Sequence, residues 1–263
     1  MTSYLIDTHS HIYSEEFDQD RNEVVSNAHK AGIKKILLPN IDSSTIKRML
    51  ELSDAYPKHI FPMMGLHPTS VKKNYEEELK VVEKWLEQKH FYAIGEIGID
   101  LHWDKTFLKE QEIVFERQID LALQYNLPIV IHARKSFEQI FKILDKKHTA
   151  QLKGVFHSFT GSLEQARRIT EKYQFYLGIN GTVTFKNSKL PSVLADIDIK
   201  HILLETDSPY LTPEPKRGKR NESAYVSFIA QKIAYIYNLD LSTLADITSQ
   251  NANKLFKLPK DEN

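Results

Sequence analysis

Six side chains with the chemistry of metal ligands stand where apolar runs of the sequence end. Asp7-Thr8-His9-Ser10-His11 follows Tyr4-Leu5-Ile6, Glu96 follows Ala93-Ile94, and His132 follows Ile129-Val130-Ile131. His157 follows Val155-Phe156, and Asp207 comes soon after Ile202-Leu203-Leu204. His9 and His11 are two apart, so in extended backbone both imidazoles lie on one face and can share an ion. Glu96 is flanked by glycines in Gly95-Glu96-Ile97-Gly98-Ile99-Asp100, which permit close backbone approach. A carboxylate has two oxygens and can bridge two cations, whereas an imidazole offers each ion one nitrogen. Glu96 is therefore the natural bridge, with His132 and His157 on a second ion. Two divalent ions sharing a carboxylate lower the pKa of bound water and stabilise developing oxyanion charge. Asp207 can orient that water or take its proton.

Such a cluster needs elements that deliver it to one place. Parallel strands buried on both faces read as short apolar runs, and in α/β folds the ligand-binding loops lie beyond their carboxyl ends. Runs of this kind recur at Tyr4–Ile6, Lys35–Leu38, Ile60–Met64, Phe91–Ile94, Pro128–Ile131, Gly154–Phe156, Phe175–Ile179 and Ile202–Leu204. Helical periods separate them at Val24–Lys30, Thr45–Ala55, Glu76–Gln88, Leu108–Tyr125, Phe137–Lys146 and Leu163–Tyr173. In Leu108–Tyr125 the residues Ile113, Phe115, Ile119, Ala122 and Leu123 form the predicted apolar stripe. Ser162 with Gln165 three places on is a capping-box pattern. Strand alternating with helix eight times predicts an α/β fold, a distorted (β/α)8 TIM barrel rather than an open doubly wound sheet. Two further helices, Tyr225–Tyr237 and Leu241–Phe256, follow the last strand. No linker or repeat interrupts residues 1–263, which are expected to form a single metal-dependent hydrolase domain. Barrel closure would set the eighth strand beside the first, carrying Asp207 toward His9 and His11.

Composition narrows the chemistry. Lys plus Arg equals Asp plus Glu at 35 each, which removes a whole-protein electrostatic argument for nucleic-acid binding and leaves local patches. With no cysteine in the chain, any metal must be held by nitrogen and oxygen. Neither a basic, apolar leader nor a membrane span is apparent, so the expected location is the cytoplasm, with no membrane partner.

The remaining histidines act as a control. His59, His90 and His201 precede their strands, and His29 and His148 fall in or near helix ends; these five receive no role. His67 in Gly65-Leu66-His67-Pro68 and His102 follow strands three and four, where substrate contact and turn packing are equally compatible. Lys216-Arg217-Gly218-Lys219-Arg220 follows the last strand, and loops near strands seven and eight often bind phosphate in barrels. Arg134 and Lys135 after strand five add cationic density. Together these residues favour an anionic, phosphate-bearing substrate, with His67, Arg134 and Arg217 as candidate contacts.

The chain resembles the TatD-type metal-dependent deoxyribonucleases of the amidohydrolase-like barrel superfamily over nearly its whole length. The resemblance rests on Asp7–His11, Gly65–Pro68, Gly95–Asp100, Ile131–Arg134, Phe156–Gly161, Glu205–Leu211 and Arg217–Glu222, in the family's order. It implies one ion on His9, His11, Glu96 and Asp207 and another on Glu96, His132 and His157. It also implies 3′ to 5′ exonuclease action on single-stranded DNA, with links to DNA repair. Ser158 stands where cysteine is frequent in the family, and Ser223 replaces a common proline; neither is an expected ligand, but both bear on the substrate loops. Mixed imidazole and carboxylate sites accept zinc, manganese, iron, cobalt or nickel, and magnesium is a usual activator in this family.

Two alternatives use the same residues differently. A metal pair also attacks carbonyl carbon, and removal of D-amino acids from mischarged tRNA is associated with some relatives. A non-catalytic interaction barrel would be marked by lost ligands, and all six are present.

Overall fold

The structure, a computed structural model, describes residues 3–260. Eight parallel strands alternate with helices: β1 (Leu5–Asp7), β2 (Ile33–Pro39), β3 (Ile60–Met63), β4 (Ile94–Asp100), β5 (Ile129–Arg134), β6 (Gly154–Phe156), β7 (Tyr176–Ile179) and β8 (Ile202–Leu204). Strands β1 to β3 pair in sequence, as do β4 to β8. Two seams join these sheets. At one, Met64 bridges Ile94, and at the other Ser10 bridges Ser208. The second seam is reinforced by Thr8 N–H to Leu204 O at 3.0 Å and Asp207 N–H to His9 O at 2.9 Å. The result is the (β/α)8 barrel that the alternation predicts, and closure sets β8 beside β1.

The surrounding helices are α1 (Arg21–Lys30), α2 (Ile46–Ala55), α3 (Tyr75–Gln88), α4 (Leu108–Tyr125), α5 (Phe137–Lys147), α6 (Leu163–Arg167), α7 (Leu190–Leu194), α8 (Val226–Tyr237) and α9 (Leu241–Phe256). Ser162 and Gln165 form the expected reciprocal capping box at α6. Beyond Arg167 the helix widens into a π turn over Arg168–Lys172, which differs from the uninterrupted helix expected to Tyr173. The five-residue α7 carries too little periodicity to be visible in sequence. No helix of the described residues is long and apolar enough to cross a membrane.

Packing follows the strand alternation. Ile6, Leu37, Met63, Ala93, Val130, Val155 and Leu203 share one cluster with Ala252, Leu255 and Phe256 of α9, which tucks against the amino ends of the strands. The opposite strand faces join the larger layer beneath the helices. The α4 stripe departs from expectation: Ile113 is 52 % exposed, while Gln111 and Gln118 are buried. Both amides are occupied. Gln111 Oε1 accepts from Asp100 N–H at 2.8 Å, and Gln118 brackets Leu66 through its N–H at 2.7 Å and its carbonyl at 3.2 Å. Hydrogen bonding to strand-end backbone thus replaces apolar contact on that face.

Candidate metal centre

Glu96 does not stand beyond the end of the fourth strand, where the apolar run places it. It lies inside β4, whose predicted extent, Phe91–Ile94, ends where the observed strand begins. Register against β5 shifts between Ile94 and Ile97, and an irregularity of this kind re-aims a strand side chain. Gly98 makes the β4–β5 approach possible: its φ is +137° and a Cβ there would meet His132 O at 2.1 Å. His132 likewise lies within β5 rather than beyond it. Polar residues inside strands are tolerated here because they face the carboxyl-end mouth of the barrel and one another.

The two oxygens of Glu96 address different groups. Oε2 lies 3.1 Å from His9 Nε2 and 3.7 Å from His11 Nε2. Asp207 Oδ1 is 3.9 and 3.7 Å from the same two nitrogens. Oε1 lies 2.7 Å from His132 Nδ1, 3.0 Å from His157 Nε2 and 3.3 Å from His67 Nε2. His9, His11 and Glu96 converge closely enough to hold one ion, as do His67, Glu96 and His132. His67, read from sequence as a substrate contact, thus shares the carboxylate oxygen used by His132 and His157. Its other nitrogen is fixed by Thr69, 2.6 Å to Oγ1 and 3.1 Å to N–H.

Further side chains orient the rings. Tyr13 O–H donates to Pro39 O at 2.6 Å, so the 2.9 Å contact with His11 Nδ1 requires that nitrogen to carry the proton. His11 Nε2 is then left with its lone pair facing Glu96 and Asp207, the tautomer a ligand needs. Asp100 Oδ2 lies 2.8 Å from His132 Nε2, and Glu205 Oε1 lies 3.3 Å from His157 Nδ1, an ion-pair distance without hydrogen-bond alignment. Gly178 leaves room for Glu205, since a Cβ there would stand 2.3 Å from Glu205 Oε2. Asp7 accepts from Thr206 N–H at 2.9 Å and Thr206 O–H at 2.7 Å, tying β1 to the segment that carries Asp207. Ser223, expected to bear on the substrate loop, is buried and hydrogen-bonded to Ser10 at 3.2 Å. Asp7, Tyr13, Asp100 and Glu205 received no role from sequence; Asp7, Asp100 and Glu205 lie within the quoted motifs, which was the signal on offer.

Protonation tendencies divide along the same line. Burial holds His9 well below its ordinary value and brings His11 down to about 4. Burial also pulls on His132 and His157, but Asp100 and Glu96 outweigh it for the first, and Glu96 and Glu205 for the second, so both end above the ordinary value. Glu96 ends well below its usual range: burial raises it, and the surrounding imidazoles His157, His67 and His9 prevail. Burial, aided by the charge of Glu96, lifts Asp207 to about 7.

These residues fit bound metal. The donor set is nitrogen and oxygen, Glu96 presents separate oxygens to two groups of imidazoles, and buried histidine and carboxylate donors converge closely enough to share an ion.

The cationic candidates divide. Arg134 is exposed, with its guanidinium 5.1 Å from the Trp103 ring, and Arg217 is exposed 3.8 Å from the Phe185 ring. Arg220, part of the expected basic cluster, is instead held by Asp20 at 2.6 and 2.9 Å and by Glu16 O, so its charge is neutralised within the fold. The His102 side chain is exposed against Trp103, while its backbone N–H donates to Asp100 at 2.8 Å.

Residues 6–257 match the family model described as TatD related DNase. The chain is 40 % identical to the uncharacterized metal-dependent hydrolase YabD of Bacillus subtilis (strain 168), covering 97 % of this chain and 99 % of the relative. It is 31 % identical to the 3'-5' ssDNA/RNA exonuclease TatD of Salmonella typhimurium, over 97 % of this chain and 99 % of that one. The crystal structure of YjjV, a TatD homolog from Escherichia coli K12, superposes with a TM-score of 0.91 at 28 % identity, covering 98 % of this chain and all of that one.

Proposed function

The chain belongs to the TatD-related DNase family of metal-dependent hydrolases, and from that premise we propose that it is a two-metal phosphodiesterase that removes nucleotides from the 3′ end of single-stranded DNA. The observation that carries the reading is the division of Glu96, with Oε2 turned to His9 and His11 and Oε1 to His132 and His157. In this proposal His9, His11, Asp207 and Glu96 would hold one ion, and Glu96, His132 and His157 would hold the other. When bound, a divalent pair supplies an activated water and neutralises charge developing on phosphoryl oxygens.

The protein's own groups do the rest. Asp207 orients the attacking water and accepts its proton. Asp100 and Glu205 keep the rings of His132 and His157 aimed at the shared carboxylate. His67, its Nδ1 held by Thr69, keeps Nε2 beside Glu96 Oε1, while Arg134 and Arg217 meet phosphates further along the strand. The name of the Salmonella relative supports a single-stranded nucleic acid as substrate. Imidazole with carboxylate suits zinc, manganese, cobalt or nickel, and magnesium to the extent that water completes its shell.

The test is a substrate panel with metal-analysed protein: 5′-labelled single-stranded DNA, the matching duplex, RNA and D-aminoacyl-tRNA. A ladder shortening from the 3′ end of the single strand is the expected result. Deacylation of the tRNA with the DNA left intact overturns the nuclease reading in favour of ester hydrolysis.

A further inference from the structure

Among the described residues five large apolar or aromatic side chains are notably exposed: Trp103, Ile113, Tyr210, Tyr235 and Leu241. Ile113, Tyr235 and Leu241 lie on α4, α8 and α9. Trp103 and Tyr210 differ, because each stands on a loop just beyond the carboxyl end of a strand, β4 and β8 respectively. In a barrel of eight strands in sequential order these two are four positions apart, on opposite sides of the mouth. Glu96 and its histidines lie between them.

Both aromatics are tied to the centre by their backbones. Asp100 Oδ2 contacts His132 Nε2, and its Oδ1 accepts from the N–H groups of His102 at 2.8 Å and Trp103 at 3.4 Å. One carboxylate thus positions a centre histidine and the root of the Trp103 loop. On the other side Tyr210 N–H donates to Asp207 O at 2.9 Å, Asn221 holds Tyr210 O at 2.6 Å, and the Tyr210 ring lies 6.5 Å from that of His11. Trp103 remains 71 % exposed and Tyr210 56 % exposed despite these anchors. Exposing an indole at a fixed position forgoes its burial, unless a ligand covers it. Arg134 beside the indole adds a cation to the same platform.

Resting on the nuclease reading above, we propose that Trp103 and Tyr210 are two base-stacking platforms that hold the nucleobases on either side of the phosphate placed over Glu96. Stacking on aromatic side chains tolerates every base, and each platform contributes about tenfold to about a hundredfold in binding. The faces of paired bases are already stacked within a duplex, so the platforms select unpaired strands. They also set the smallest well-used substrate at two nucleotides.

The chain has two tryptophans, so Trp85→Phe on α3 leaves Trp103 as the sole indole reporter. Metal-loaded W85F is titrated with phosphorothioate oligothymidylate, which resists hydrolysis, and with a phosphorothioate abasic chain of equal length. Emission quenched by the first and not by the second is expected; equal quenching, or none with bound oligothymidylate, overturns stacking on Trp103. In parallel, Trp103→Ala and Tyr210→Ala are assayed on cleavable oligothymidylate and on a cleavable abasic chain. The ratio of the two kcat/KM values should fall about tenfold in each variant, with Trp103→Phe recovering much of it. A loss shared equally by the abasic chain marks a merely structural role and overturns the platforms while the nuclease reading stands. A wild type that cleaves neither chain defeats the nuclease reading, and the platforms with it.

Discussion

The two sides of Glu96 are built from the same residue type and behave differently. Around Oε2, His9 and His11 are buried and driven toward the neutral form, and a phenol, Tyr13, sets the tautomer of His11. Around Oε1, His132 and His157 are backed by the carboxylates Asp100 and Glu205 and are driven toward the charged form. A carboxylate behind a ligating imidazole raises its basicity and fixes its orientation, whereas a phenol fixes orientation with less polarisation. In the proposed two-metal arrangement the Oε1 side would therefore hold the stronger imidazole donors, and Asp207 would add a second carboxylate to the Oε2 side. The difference lies in what stands behind each ring, which a ligand list alone does not show.

The largest expected effect comes from removing what both sides share. Glu96→Ala should lower kcat by about 10³-fold or more while circular dichroism and the thermal transition of the metal-free protein stay near wild type. Asp207→Ala should lower kcat comparably, and substantial activity in either variant would remove the basis of the two-metal mechanism. Saturating the wild type with divalent metal should raise its stability by about 2.7 kcal/mol for each ion held at a hundred times its Kd, seen as a higher Tm. Glu96→Ala should abolish that rise.

Smaller changes separate the sides. Asp100→Asn or Glu205→Gln should weaken one ion by about 10- to 100-fold, read by metal titration, and leave the other near wild type. Gly178→Ala should mimic Glu205→Gln, because the new methyl group displaces the carboxylate from behind His157. Tyr13→Phe should weaken the Oε2 ion by less, about tenfold or under. Equal losses at both ions from Asp100→Asn and Tyr13→Phe would dissolve the contrast. As a floor, Ser162→Ala, remote from either side, should cost about 1 kcal/mol of stability through its lost helix cap with kcat unchanged.

The fold was legible because strand and helix periods are local. β8 and the helices α4 and α9 fall on the expected residues. Where local pattern misled, tertiary contacts had reversed it: the fourth apolar run ends at Ile94, yet β4 runs through Gly95-Glu96 to Asp100. Gln111 and Gln118 resemble surface residues, yet they cap strand-end backbone. Arg220 resembled a phosphate contact until Asp20, 200 positions away in sequence, proved to hold it.

From the order of its residues alone, this protein's eight-fold alternation, its nitrogen-and-oxygen donor set and the six candidate ligands could be read. Each follows from side-chain type and short-range spacing. Only the tertiary structure decided which oxygen of Glu96 faces which histidines, that His67 joins them, and that Asp100, Glu205 and Tyr13 stand behind the rings. Those relations depend on closing β8 onto β1 and β3 onto β4, which brings side chains from distant strands within about 3 Å, the reach of a hydrogen bond or an ion.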